Sequence, residues 1–152
     1  MTKQILLGVC LTLIWMSACK STSYTPKNFE GRKILFAKGG GITGQYETYL
    51  LLENGQLFNQ AKIDGEWAAF DNVKKGKAKR FFKQLDEMNW TSLKVSQHGN
   101  ITYFIELQDQ ENAHRVTWGS ESSEVNAELS ALHYELMNIA KGAKPESISP
   151  DN

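Results

Sequence analysis

The chain has 152 residues, with 17 basic and 17 acidic side chains and a formal net charge of zero. A balanced charge with no broad basic excess excludes an ordinary nucleic-acid binder and an electrostatic membrane-surface module, and the length suits one domain. The two cysteines, Cys10 and Cys19, both lie near the start, so the body of the chain has no disulfide and must hold itself together by packing.

Residues 1–18 begin with the positive Lys3 and run through an uncharged apolar stretch from Ile5 to Trp15. Small Ser17 and Ala18 then precede Cys19. The stretch is shorter than the about 20 apolar residues a spanning helix needs and has the layout of a secretory signal. The run Met16-Ser17-Ala18-Cys19 resembles the lipobox of bacterial lipoproteins, with Met16 where Leu is common. The resemblance implies cleavage before Cys19, lipidation of its thiol and of the new amine, and a membrane anchor. Each buried methylene contributes about 0.8 kcal/mol, and more than one chain gives stable attachment. Lys20-Ser21 follows the cysteine where inner-membrane lipoproteins often carry Asp. The expected place is therefore the cell envelope, at the outer membrane of a Gram-negative bacterium. Without residues 1–18 the chain keeps 16 basic and 17 acidic residues, a formal charge of −1.

Residues 19–31 are polar, include Pro26 and show no apolar period, so they read as a tether. Lys33 to Ala37 is a short apolar strand running into Gly39-Gly40-Gly41-Ile42-Thr43-Gly44. Two further strand runs, 45–53 and 56–63, flank Asn54-Gly55, a strong type I′ hairpin signal. A two-residue loop there sets Leu52 opposite Leu57, Leu51 opposite Phe58, Leu50 opposite Asn59, Glu47 opposite Lys62 and Tyr46 opposite Ile63. Asp64-Gly65 turns the chain toward Trp67 and Phe70, and Asp71 or Asn72 is the expected cap of the next element. Ala78, Phe81, Phe82, Leu85 and Met88 keep helical spacing over about 73–88. The basic run 74–80 at its start reads as a solvated face, as does Asp86-Glu87.

His98-Gly99-Asn100 is a turn. Strands 101–108 and 113–118 with a four-residue loop pair Tyr103 with Trp118, Ile105 with Val116, Leu107 with His114 and Glu106 with Arg115. Ser122 or Ser123 is the expected cap of a last helix, whose stripe is Val125, Leu129, Leu132, Leu136 and Ile139. Residues 143–152 read as a frayed tail. The order β-β-β-α-β-β-α predicts a single α+β domain over 32–142, with one antiparallel sheet of about five strands and two helices on one face.

No residues have the arrangement of a catalytic or cofactor site. The glycine run is followed by Gln45-Tyr46 and a strand, not by Lys-Ser/Thr and a helix, so it is no phosphate loop. The three histidines lack the i, i+4 metal spacing and read as structural or exposed, and no serine sits in a Gly-x-Ser-x-Gly elbow. The expectation is therefore no enzyme, no metal and no cofactor. Two readings of the glycine run stay open. It forms a bulged hairpin that uses positive φ, or it is a bare loop at an exposed sheet end, outside the ladder, where a partner approaches closely. On the second reading Gly39, Gly40, Gly41, Ile42, Thr43 and Gly44 are the partner-binding residues. Tyr49 and Phe104, opposite the main apolar set of their hairpins, are further contact candidates.

The run Ile34-Leu35-Phe36-Ala37-Lys38-Gly39-Gly40-Gly41-Ile42-Thr43-Gly44 resembles the opening of the emfourin family, small bacterial protein inhibitors of thermolysin-like metallopeptidases. Gly40-Gly41-Ile42-Thr43-Gly44 fits the family's Gly-Gly-apolar-x-Gly turn. The resemblance implies an α+β inhibitor fold and a peptidase partner, and it assigns no inhibitory residues. Three functional readings follow. The first is a lipid-anchored module that binds an envelope protein, with inhibition of a secreted metallopeptidase as the specific form. The second is a structural or assembly lipoprotein without inhibitory activity. The third is an envelope hydrolase built from scattered polar residues.

Overall fold

The computed structural model describes residues 23–60, 65–110, 112–123, 125 and 127–145. The signal-like segment with Cys10 and Cys19 lies outside them, as do Lys62 and Ile63. The elements are β1 (Lys33–Gly40), β2 (Gln45–Leu52), β3 (Leu57–Gln60), β4 (Ala68–Phe70), α1 (Lys75–Glu87), a 3-10 turn at Trp90–Ser92, β5 (Ile101–Asp109), β6 (Asn112–Gly119) and α2 (Ala127–Gly142). The strands form one sheet in the order β4-β3-β2-β1-β5-β6, and all neighbours are antiparallel. The α+β class holds, with six strands in place of about five. The additional strand, β4, has three residues, too few to show alternation in the sequence.

β1 lies at the centre and pairs along its whole length with β2 and β5. Its alternation splits the sheet's two faces. Ile34 and Phe36 join Tyr49, Leu51, Leu57, Ile105, Val116 and Trp118 on the face covered by both helices. α1 buries Ala78, Phe81, Phe82 and Leu85, and α2 buries Leu129, Leu132, His133, Leu136, Met137 and Ala140. Each large apolar side chain removed from water contributes about 2–3 kcal/mol. The helix stripes match their 3.6-residue spacing, and the basic run 74–80 stays exposed except for Ala78.

The other face carries a smaller cluster of Leu50, Leu52 and Phe58 with Tyr24, Phe29, Leu35 and Trp67. Residues 23–31, which read as a tether, thus lie on the sheet. The Tyr24 and Phe29 rings meet edge-on at 5.2 Å, the Tyr24 N–H donates to Gln56 Oε1 at 3.1 Å, and Lys33 Nζ donates to the Pro26 carbonyl at 2.8 Å. The start of the C-terminal segment is also tied down. The Asp71 and Lys144 backbones are joined at 2.8 Å, and Asp71 Oδ2 accepts from the Lys144 N–H at 3.1 Å.

The first hairpin differs from its expected register by one residue. Leu51 pairs with Leu57, Leu50 with Phe58 and Tyr49 with Asn59. The loop is three residues, 53–55, closed by the Leu52 N–H donating to the Gln56 carbonyl at 2.9 Å and the Gly55 N–H donating to the Leu52 carbonyl at 2.9 Å. Only Gly55 takes positive φ, 103°, whereas a type I′ turn needs it at Asn54 as well. Asn54 uses its side chain instead, its Oδ1 accepting from the Gln56 N–H at 2.9 Å. Because the side-chain period is two, this slip moves Tyr49 to the helix-covered face. It is buried there, stacked on Phe36 at 5.7 Å and edge-on to Phe70 at 6.4 Å. Glu47 pairs with Lys141 on α2 at 3.1 Å.

The second hairpin has the expected register, Tyr103 with Trp118 through Leu107 with His114, and pairs one step further at Asp109 and Asn112. Its loop is therefore two residues, with Gln110 at φ 49°. The expected cap of α1 is not used as such. α1 is preceded by Lys74 with no side-chain cap, Asp71 serves the C-terminal segment, and Ser122 Oγ donates to Gln97 Oε1 at 2.9 Å.

Candidate binding site

The glycine run divides between ladder and turn. Gly39 pairs with Tyr46 and Thr102, and Gly40 with Gln45 and Ile101, so both lie inside the sheet, contrary to a run wholly outside it. A side chain at Gly39 would collide with the Tyr46 ring, which lies across the strand there. Gly40 has φ 104°, and a Cβ would sit 2.5 Å from the Asn100 carbonyl oxygen. Residues 41–44 form the turn. Gly41 and Gly44 take φ 69° and 61°, and the Gly44 N–H donates to the Gly41 carbonyl at 3.3 Å. The Gly41 N–H donates to the Asn100 carbonyl at 2.6 Å, which ties the turn to the loop before β5. Each glycine thus has a local reason: room for a ring at Gly39 and left-handed backbone at the other three.

Held in this way, the turn presents two side chains. Ile42 is fully exposed, and Thr43 is exposed with its Oγ1 3.4 Å from the Gln45 N–H. Beside the turn is a recess of about 520 Å3 that Lys38, Tyr46, Glu47, Ile101 and Lys141 help to line. Among the described residues the arrangement has no nucleophile paired with a base. It offers a fixed apolar tip with polar flanks, which suits contact with a complementary surface.

The other candidates from the sequence fall elsewhere. Phe104 is on the face away from the helices but 9 % exposed, capped by the Arg115 guanidinium at 4.3 Å. Arg115 is also paired with Glu106 at 2.7 Å, as expected of facing opposite charges. His114 Nε2 donates to the Leu93 carbonyl at 2.8 Å. His133 is buried, and its Nε2 donates to the Ala37 carbonyl at 2.9 Å. Burial lowers the His133 pKa to about 4, against the raising effect of the Ala37 bond, and Lys38 lowers it further.

Sequence reasoning missed the aromatic cluster around His133. Tyr103 and Trp118 lie beneath it, and Tyr134, on the next position of α2, is 69 % exposed. The signal was present: Tyr134 is a large aromatic off the helix's apolar stripe. Compared with known protein families and with characterised proteins, the chain matches none in sequence.

Proposed function

We propose that this chain is a lipid-anchored protein of the cell envelope that acts as a protein-binding module, with the turn after β1 as its partner-binding element. Ile42 and Thr43 make the contact, and Gly39, Gly40, Gly41 and Gly44 set their position. The observation that carries the reading is the full exposure of Ile42 on a turn pinned to Asn100. A branched apolar side chain at such a tip gains about 2 kcal/mol when a partner's pocket takes it out of water. Because the turn is already held, little further ordering is needed on binding.

The placement of the turn agrees with anchoring at Cys19. The chain approaches β1 from residues 23–31, which lie beside Gln56 at the Lys33 end of the strand. The turn is at the other end of an eight-residue strand, about 25 Å away at the usual rise per residue. A lipid at Cys19 therefore leaves the turn remote from the point of chain entry.

A secreted thermolysin-like metallopeptidase is the partner class we put first, on the resemblance of residues 34–44 to emfourins. Inhibition of such enzymes from the same source, by wild-type protein and by Ile42→Asp, tests it. Inhibition that the substitution removes supports the peptidase reading. Capture of an envelope assembly component by the same turn, with no inhibition, would assign the module to assembly.

A further inference from the structure

Strands β5 and β6, helix α2 and the loop after β6 enclose a second cavity, of about 360 Å3, within the size range of small-molecule sites. It shares Lys38 and Lys141 with the recess beside the turn, but none of residues 41–44 lines it. Tyr103 and Trp118 line it as a stacked pair, centroids 5.9 Å apart and 28° from parallel. His133 meets both rings edge-on at 5.3 Å. On its flanks are Lys38, whose Nζ lies 5.9 Å from the Tyr103 ring centre, and the exposed Tyr134 of α2.

Three features specify an occupant. Among the described residues the lining includes Lys38 and Lys141 and no carboxylate. Lys141 is neutralised by Glu47 at 3.1 Å, whereas Lys38 has no carboxylate partner among the described residues, so one positive charge is uncompensated. The stacked rings favour a flat, unsaturated body. Finally, His133 gives its Nε2–H to Ala37, so in the neutral imidazole Nδ1 is a lone-pair acceptor. It has no partner among the described residues. A phosphate dianion would meet only one cation free of a carboxylate partner among the described residues, and a purely apolar molecule would leave both Lys38 and Nδ1 unused.

We infer that this cavity binds a small aromatic carboxylate, its ring against Tyr103 and Trp118, its carboxylate on Lys38 Nζ and a ring hydroxyl or N–H donating to His133 Nδ1. The site takes a single negative charge and a body of one or two rings. Tyr134 closes over the ring from the helix side.

The test uses purified full-length protein in detergent, titrated with 4-hydroxyphenylacetate and, separately, with 4-hydroxyphenylacetamide, which keeps the ring and hydroxyl and removes the charge. Two-dimensional NMR reads the site and calorimetry the affinity. The expected result is saturable binding of the acid with shifts at Tyr103, Trp118 and His133. The amide should bind roughly fivefold more weakly, the usual effect of one half-exposed ion pair. Lys38→Gln should bring the acid down to the amide's affinity, and Ser130→Trp, at an exposed position on the cavity lining, should fill the space and abolish binding. Absence of saturable binding up to about 10 mM, equal affinity for acid and amide, or undiminished binding by a folded Ser130→Trp protein overturns the proposal. If Ser130→Trp does not fold, the comparison of acid and amide on Lys38→Gln decides alone.

Discussion

The imidazole of His133 donates from Nε2 to the carbonyl oxygen of Ala37 at 2.9 Å, joining α2 to the central strand across 96 residues of sequence. The contact binds helix to sheet through one buried hydrogen bond, which a charged ring would also make, but burial away from water and the nearby Lys38 keep the ring neutral.

The burial of this ring makes stability depend on pH. Burial holds the folded-state pKa near 4, below the ordinary value of about 6.5 in an unfolded chain. Between those values the unfolded chain binds a proton that the folded chain refuses. The contribution is therefore complete above about pH 6.5 and is lost as pH falls toward 4, by about 3 kcal/mol over the window. Urea melts of wild-type protein and of His133→Gln at a series of pH values check it. The wild-type protein should lose more stability across this window than the variant, and parallel curves would place the acid sensitivity elsewhere.

Two glycines should respond oppositely to alanine. Gly55 holds φ 103°, and a Cβ there would run into the Val73 carbonyl. Val73 donates its own N–H to the Gly55 carbonyl at 2.8 Å, so neither segment has room to retreat. Gly55→Ala should cost about 2 kcal/mol or more. Gly76, in the first turn of α1, faces open space. Gly76→Ala should stabilise by up to about 1 kcal/mol through helix propensity. Thermal melts of both variants give the comparison.

The same hairpin shows where sequence reading reaches its limit. The second hairpin was legible because Tyr103, Ile105, Val116 and Trp118 recur at every second position and fall on one face in a register that also sets Glu106 opposite Arg115. The first was not. Tyr49-Leu50-Leu51-Leu52 is apolar on both faces because both are covered, one by the helices and the other by Tyr24, Phe29 and Trp67. Alternation then carries no information about register. Asn54-Gly55 marked the turn's position but not its length. At the candidate site the location of the turn was legible in its glycines. The neighbours that require them, Tyr46 and Asn100, come from pairing across the sheet. The cavity was beyond reach because Lys38, Tyr103, Trp118 and His133 meet only in the fold.

Gly40 and Ile42 separate folding from binding within the turn. Gly40→Ala forces a side chain onto left-handed backbone against the Asn100 carbonyl and should lower the melting temperature by several degrees, the usual consequence of about 1–2 kcal/mol in a domain of this size. Ile42→Asp changes a side chain in full contact with water and should leave the melt unchanged. Equal melts for the two variants would contradict the assignment of Gly40 to the ladder.

The anchor is tested at Cys19. Cys19→Ser should abolish lipidation, leaving the protein uncleaved or released from the membrane. Fractionation and mass measurement of the N-terminus read both outcomes, and an unmodified Cys19 with normal membrane retention would remove the lipoprotein reading.

The most direct test of the binding-module proposal is capture from solubilised cell envelope by wild-type and Ile42→Asp proteins side by side, with bound proteins identified and their affinities measured. The expected result is a defined partner held by the wild type and bound roughly thirtyfold more weakly by the variant, the equivalent of about 2 kcal/mol, at an unchanged melting temperature. Equal capture by both folded proteins would show that the turn after β1 is not the partner-binding element.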